Sequence, residues 1–188
     1  MMYREASKKL QSLQKEFRAL RKEMQKVRAA AKPEPVKDYE FTRATGGKVK
    51  LSELFAGKDH LFVIHNMGAS CPYCTLWADG FNGVNDHLQN RAAFIVSTPD
   101  DPVSQAKFAS VRGWKFPMVS HAGTTFAKDM GYAGSDGFYP GVSVFTRKSG
   151  RIFRVSDDSF SPGDDYAGIW HLFDLIPGKS EWQPKYAY

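Results

Sequence analysis

The sequence predicts an α/β fold, a mixed sheet flanked by helices, preceded by one long amphipathic helix. Three observations predict it. Continuous apolar strands such as Leu61-Phe62-Val63-Ile64 alternate with helical stretches. Two β-rich runs near the end flank Arg147-Lys148-Ser149-Gly150, a hairpin signal. The first thirty residues carry an unbroken 3-4 apolar spacing with no Gly or Pro. At 188 residues and 42% apolar, the chain suits one domain with an appendage. The expected division is a helix over 1–32, a linker over 33–38, an α/β domain over 39–180 and a tail over 181–188.

In the first helix, expected over 3–31, Leu10, Leu13, Phe17, Leu20, Met24 and Val27 form an a/d heptad stripe. Pro33 and Pro35 end it. Such a stripe has to be covered, either by its own domain or by a second subunit. A helix of roughly 40 Å overhangs a compact domain, which favours homo-oligomer formation through this helix. Its positive charge as a whole argues against a parallel coiled coil and for antiparallel pairing or packing across the neighbour's globular domain. Short strands are expected over 37–41 and around Val49 and Leu51, with Ser52 capping the turn Glu53-Leu54-Phe55. Next come a buried strand over 61–65, a helix over 73–89, a strand over 93–97, a helix over 102–111 and a short strand over 118–120. The hairpin follows, strands 142–145 and 152–155, and then a last helix over 166–175 closed by Pro177-Gly178.

The net charge of +6 is unevenly placed. Residues 1–32 hold ten Lys/Arg against three Glu, a balance of +7; the remainder holds 16 basic and 17 acidic residues, a balance of −1. The globular part is therefore neutral, which speaks against a nucleic-acid partner, and the basic residues of the helix read as a solvated face. No membrane partner is expected either, because the longest apolar run is far too short to span a bilayer. The opening residues, Met1 to Lys9, never enter an apolar stretch of the kind that targets secretion. The expectation is a cytoplasmic protein in a reducing compartment.

The two cysteines, Cys71 and Cys74, stand three apart. A disulfide between them closes too small a loop to staple a fold, so reactivity explains them better. A buried strand leads through Gly68-Ala69-Ser70 into Cys71, which opens a helix. There the free backbone N–H groups and the helix dipole favour a thiolate, and Pro72 suits the first turn because it needs no N–H. Cys71 is the expected attacking thiol and Cys74 the resolving one. The catalytic candidates are thus Cys71 and Cys74, acting on a disulfide-bearing protein or a small thiol substrate, with no cofactor implied. Two other readings stand beside this one. A C-x-x-C supplies two ligands for copper or zinc, although His60, His65, His87, His121 and His171 are dispersed without ligand spacing; no metal ligands are assigned. The chain could also be a non-enzymatic binding or assembly module.

Cys71-Pro72-Tyr73-Cys74 is the glutaredoxin tetrapeptide, but the Thr-Val-Pro turn and Gly-Gly pair that bind glutathione in glutaredoxins are not found downstream. The wider resemblance is to the thioredoxin-like bacterial domain-of-unknown-function family 899. It rests on Asp38-Tyr39-Glu40-Phe41, Gly47-Lys48-Val49, Leu51 to Phe55, Cys71 to Phe81, Trp114 to Pro117, Gly141 to Phe145 and Trp170 to Leu175. The resemblance implies a thioredoxin-like fold with a peroxiredoxin-like hairpin and names no substrate. The loop between His65 and Cys71 is shorter than the family pattern. Comparison with thioredoxins places His65 where their buried acid lies, six residues before the first cysteine. There it would take a proton near Cys74; otherwise it is a strand-end histidine in a hydrogen bond. The same comparison puts Pro140 at the cis-proline beside the cysteines, or makes it an ordinary turn proline. Pro72, His65 and Pro140 are the supporting candidates. Trp77 and Phe81 read as core. A peroxiredoxin proper needs Thr or Ser three residues before its peroxidatic cysteine, and Gly68 stands there.

Overall fold

The computed structural model describes residues 2–178 and 182–185. The chain divides into two compact units, residues 1–33 and residues 34–188. The first is a single helix, α1 (Tyr3–Ala30). It opens with the Met2 N–H donating to the Glu5 carboxylate at 3.0 Å and ends where Ala31 turns extended ahead of Pro33. A lone helix cannot cover its own stripe, and the six apolar residues from Leu10 to Val27 are 49–71% exposed.

The second unit is built on one eight-stranded sheet. In chain order its strands are β1 (Glu34–Val36), β2 (Glu40–Arg43), β3 (Lys48–Lys50), β4 (His60–His65), β5 (Ala93–Thr98) and β6 (Met118–Ser120), then β9 (Gly141–Lys148) and β10 (Arg151–Ser159). The small hairpin β7 (Ala133–Gly134) and β8 (Gly137–Phe138) stands apart. The spatial order is β1-β10-β9-β4-β5-β6-β2-β3. β4, β5 and β6 are parallel, and β9 and β2 flank them antiparallel. The parallel strands are the continuous apolar runs, and β5 is buried along its whole length, as a strand covered on both faces must be.

Alternation along these strands divides the core in two. Leu61, Val63, Ala93 and Ile95 face Phe41, Phe55, Phe126 and Phe145. Ile64, Phe94 and Val96 face Cys71, Cys74, Trp77 and Phe116. The second face carries the larger helices α2 (Pro72–Gly83), α3 (Asn85–Arg91) and α4 (Pro102–Arg112), and α6 (Ile169–Phe173) adds Trp170. The first face is closed by the β2–β3 arm, the 3-10 turn Glu53–Phe55 and the short α5 (Phe126–Asp129). α4 has clear local causes. The Asp101 carboxylate accepts from the Val103 and Ser104 N–H groups, Pro102 starts the first turn, and Gly113 closes it at φ +66.

Several sequence expectations need correction. The segment 33–38 is not only a linker, because β1 pairs with β10 there through Glu34, Pro35 and Val36. The helix expected over 73–89 is two, broken where Gly83-Val84 leaves helical geometry. Ser52 does not cap; its hydroxyl donates to Asp38 instead. The last helix is shorter, Ile169–Phe173. α5 and the β7–β8 hairpin were not foreseen. Of the tail 181–188, only 182–185 lie within the described residues, and Trp182 there meets Trp170 and Phe173 edge-on.

Candidate functional site

Cys71 is the N-cap of α2, in extended geometry, with Pro72 in the first turn. Its Sγ accepts from the Cys74 N–H at 3.1 Å. Its carbonyl accepts from the Thr75 N–H and the Thr75 hydroxyl, both at 3.1 Å. Cys74 Sγ accepts from the Met67 N–H at 3.4 Å. Both thiols are free. Cys71 is 8% exposed and Cys74 2%.

These contacts push the two thiols apart in acidity. The Cys74 thiol and the backbone N–H groups of Cys74 and Tyr73 bond to Cys71 sulfur and outweigh burial, which brings Cys71 down to about 7. Cys74 is pushed up, because its proton is held by that sulfur and burial disfavours its thiolate. The two thiols titrate as a pair, with Cys71 favoured to lose its proton first.

The loop entering Cys71 is held from behind. Asp100, in the turn after β5, accepts the Ala69 N–H at 2.8 Å. Its own N–H bonds to Thr98 Oγ1, and Gln105 Nε2 donates to its carbonyl. Gly68 has φ +109, and a Cβ there would lie 2.9 Å from the Asp100 carboxylate, so only glycine fits. The Gly68 carbonyl then accepts the Cys71 N–H at 3.1 Å. Behind this loop lies a cavity of about 10 Å³, lined in part by Asn66, Gly68, Thr75 and Gln105.

On the other side of α2, Tyr73 and Trp77 join an aromatic cluster with Phe160 and Trp170. The Trp77 indole N–H donates to Asp164 at 3.2 Å, and that carboxylate also accepts the N–H groups of Ser161 and Tyr166. Trp77 is core, as expected, and Phe81 packs between Phe94 and Phe160 with its ring tilted to both.

Two supporting candidates are not brought to the cysteines in the expected way. His65 shares a sheet face with Leu61 and Val63, opposite to the cysteines. Its ring stacks on Tyr132 at 3.8 Å and on Phe126 at 5.3 Å, and its Nε2 bonds to Ser143 Oγ. Strand parity decides this, since the neighbouring Ile64 takes the cysteine face. Burial holds His65 well below the ordinary imidazole range, with smaller contributions from His121 and Arg154. Pro140 precedes Gly141, which pairs with His65, but no peptide bond among the described residues is cis. Its carbonyl accepts the Phe160 N–H, so it behaves as a turn proline. Asp100, Gln105 and Asp164 escaped the sequence reading. The signal for the first two is Thr98-Pro99-Asp100-Asp101-Pro102, which announces a tight strand-to-helix turn. Among the described residues no group of three or more His, Cys, Asp or Glu is arranged to hold a metal ion.

The family model for a bacterial protein of unknown function, DUF899, matches residues 1–187. The chain belongs to the DUF899 family. Among curated proteins, none matches this DUF899 chain in sequence. A crystal structure of the peroxidoxin BcpB from Mycobacterium tuberculosis superposes with a TM-score of 0.58 at 27% identity, covering 77% of this chain and 97% of that one. Peroxiredoxin Q from Xanthomonas campestris gives 0.57 at 16%, covering 72% and 87%. A hypothetical protein from Sinorhizobium meliloti gives 0.56 at 18%, covering 78% and 84%. The fold of this DUF899 protein is therefore thioredoxin-like, and Cys71 and Cys74 lie where a strand of that fold passes into a helix.

Proposed function

We infer that the protein is a thiol–disulfide oxidoreductase in which Cys71 attacks and Cys74 resolves. The observation that carries this reading is the geometry at the start of α2. Cys71 Sγ caps the helix and accepts the Cys74 N–H at 3.1 Å, which favours its thiolate, while Cys74 lies one turn on, buried and with its pKa pushed up. The Cys71 thiolate attacks one sulfur of a substrate disulfide; that S–S bond breaks, and the first substrate thiolate leaves. Cys74 then attacks Cys71 Sγ, breaking the mixed disulfide. Its proton passes to a departing thiolate. The substrate gains two electrons, and the protein is left with a Cys71–Cys74 disulfide. The C-x-x-C at a helix start is close enough to form that bond within the fold.

The substrate is a disulfide-bearing protein or a small thiol compound that reaches the narrowly exposed Cys71 at the start of α2. Two free cysteines fit a reducing compartment such as the cytoplasm, and no helix among the described residues is long and apolar enough to cross a membrane.

The test is the reduction potential of the pair in glutathione buffers. A value between about −270 and −200 mV is expected. Cys71→Ser abolishes exchange, and Cys74→Ser accumulates the mixed disulfide. In Cys74→Ser, iodoacetamide reacts with Cys71 near neutral pH, and the reaction slows as pH falls and the thiol is protonated. In Cys71→Ser, the buried Cys74 reacts slowly at pH 7. Faster alkylation of Cys71→Ser than of Cys74→Ser would reverse the roles.

Similarity to the peroxidoxin structure favours a second reading at the same thiols, against which stands Gly68 in place of the Thr or Ser of a peroxiredoxin proper. Cys71 would cleave the O–O bond of a peroxide, becoming a sulfenic acid and releasing an alcohol or water. Cys74 would then form the disulfide and release water. Hydrogen peroxide consumption lost in Cys71→Ser, without disulfide exchange in the wild type, would select it.

A further inference from the structure

The dithiol chemistry gives α1 no role, yet its pattern is specific. Leu10, Phe17 and Met24 take the a positions of a heptad, and Leu13, Leu20 and Val27 the d positions. All six are exposed, and within the helical unit nothing covers them. A contiguous apolar stripe of this length marks an interaction surface.

The remaining heptad positions say what it fits. Glu16 and Glu23 fall at g, along one edge of the stripe; Arg21 and Arg28 fall at e, along the other. Lys9 also falls at g, facing the uncharged Gln14 at e, while Arg4, Lys8, Lys15, Arg18, Lys22 and Lys26 fall at b, c or f, which point away from a seam. The e and g edges thus hold Lys9, Arg21 and Arg28 against Glu16 and Glu23, a balance of +1, so most of the segment's positive charge sits on the outer side, where it does not oppose two such helices meeting.

In a parallel pair, each g position faces the e position five residues on in the other helix. That sets Glu16 against Arg21 and Glu23 against Arg28, on both sides of the seam. An antiparallel pair instead brings the acid-bearing edges together and the Arg-bearing edges together. Within one helix, Glu23 bonds Lys26 at 2.8 Å with both side chains largely exposed, and Arg21 lies over the Phe17 ring at 5.2 Å. Exposed contacts of this kind contribute little and exchange readily for cross-helix ones. We propose that α1 pairs with α1 of a second copy of this chain as a parallel two-stranded coiled coil. The g–e pairs set its direction and its choice of partner.

The experiment uses the full chain under reducing conditions, with pyrene on the N-terminal amine. Sedimentation equilibrium at micromolar concentration should give a dimer, and pyrene excimer emission should show the two N-termini together. Glu16→Lys with Glu23→Lys, and separately Arg21→Glu with Arg28→Glu, should each weaken self-association roughly tenfold or more, because attractive pairs become repulsive. An equimolar mixture of the two variants should restore dimer and excimer. Both variants leave the sequence of residues 34–188 unchanged, and unchanged Cys71 alkylation verifies that the domain remains folded. A wild-type monomer overturns the proposal and assigns the stripe to its own chain. A dimer without excimer emission overturns the parallel arrangement. A dimer indifferent to both charge variants overturns α1 as the contact surface.

Discussion

Asp100 lies 29 residues beyond Cys71 and does not touch it, yet its carboxylate holds Ala69 two residues before the thiol. Asp100→Ala frees that N–H and lets the loop shift. The Cys71 titration should then move up, by as much as about one pH unit, or about 1.4 kcal/mol. Asp100→Asn keeps an acceptor and should restore most of the wild-type profile. Gly68→Ala should act like Asp100→Ala, because a Cβ meets the Asp100 carboxylate. The check is the iodoacetamide rate against pH on a Cys74→Ser background, and equal profiles for Ala and Asn would remove Asp100 as a positioning residue. The buried histidines carry a second pH effect. Burial depresses His65, and it depresses His121 to about 4. The stability they permit is full above the ordinary imidazole value of about 6.5 and falls as pH drops below it, because the unfolded chain takes up protons the folded one refuses. Urea unfolding at pH 7, 6 and 5 should show stability falling by up to about 1.4 kcal/mol per pH unit for each histidine, and His121→Gln should flatten the slope. Cys71 and Cys74 could be read from spacing because helix starts acidify thiols wherever they occur. The face on which His65 lies could not, because strand parity is visible only once the ends of β4 are fixed.

At the scale of elements, α2 is tied at its start and along one face. The turn before it is held by Asp100, and its aromatic face is held by Asp164, which gathers Trp77, Ser161 and Tyr166. Asp164→Ala leaves a partly buried indole N–H and loop N–H groups unpaired. A loss of about 1–3 kcal/mol is expected, read by denaturant unfolding with a change in tryptophan emission. The parallel strands β4 and β5 were legible as unbroken apolar runs, and the β9–β10 hairpin as two such runs around a turn. β1 was not: Glu34-Pro35-Val36 is short, contains proline and follows another proline, all marks of a linker. It becomes a strand because β10 offers an open edge and because Glu34 finds Arg154 at 2.7 Å, neither of which local sequence records. A chain beginning at Glu34 should keep the full stability of the globular unit. One beginning at Tyr39 bares the β10 edge and should melt several degrees lower and aggregate sooner. Equal melting temperatures for the two would make β1 a bystander.

Across the whole molecule, the first and last strands of the sheet lie side by side, since Glu34 on β1 and Arg154 on β10 are joined across 120 residues of chain. This sets an order in time. A ribosome adding about 5–20 residues per second completes α1 and β1 some 6–24 s before the strand that β1 needs. The helix is local and can form at once, whereas the first strand of the sheet waits for nearly the last. For those seconds Glu34-Pro35-Val36 is an unattached ribbon, and its proline, with no N–H to offer a stray partner, suits a segment that is made early and used late.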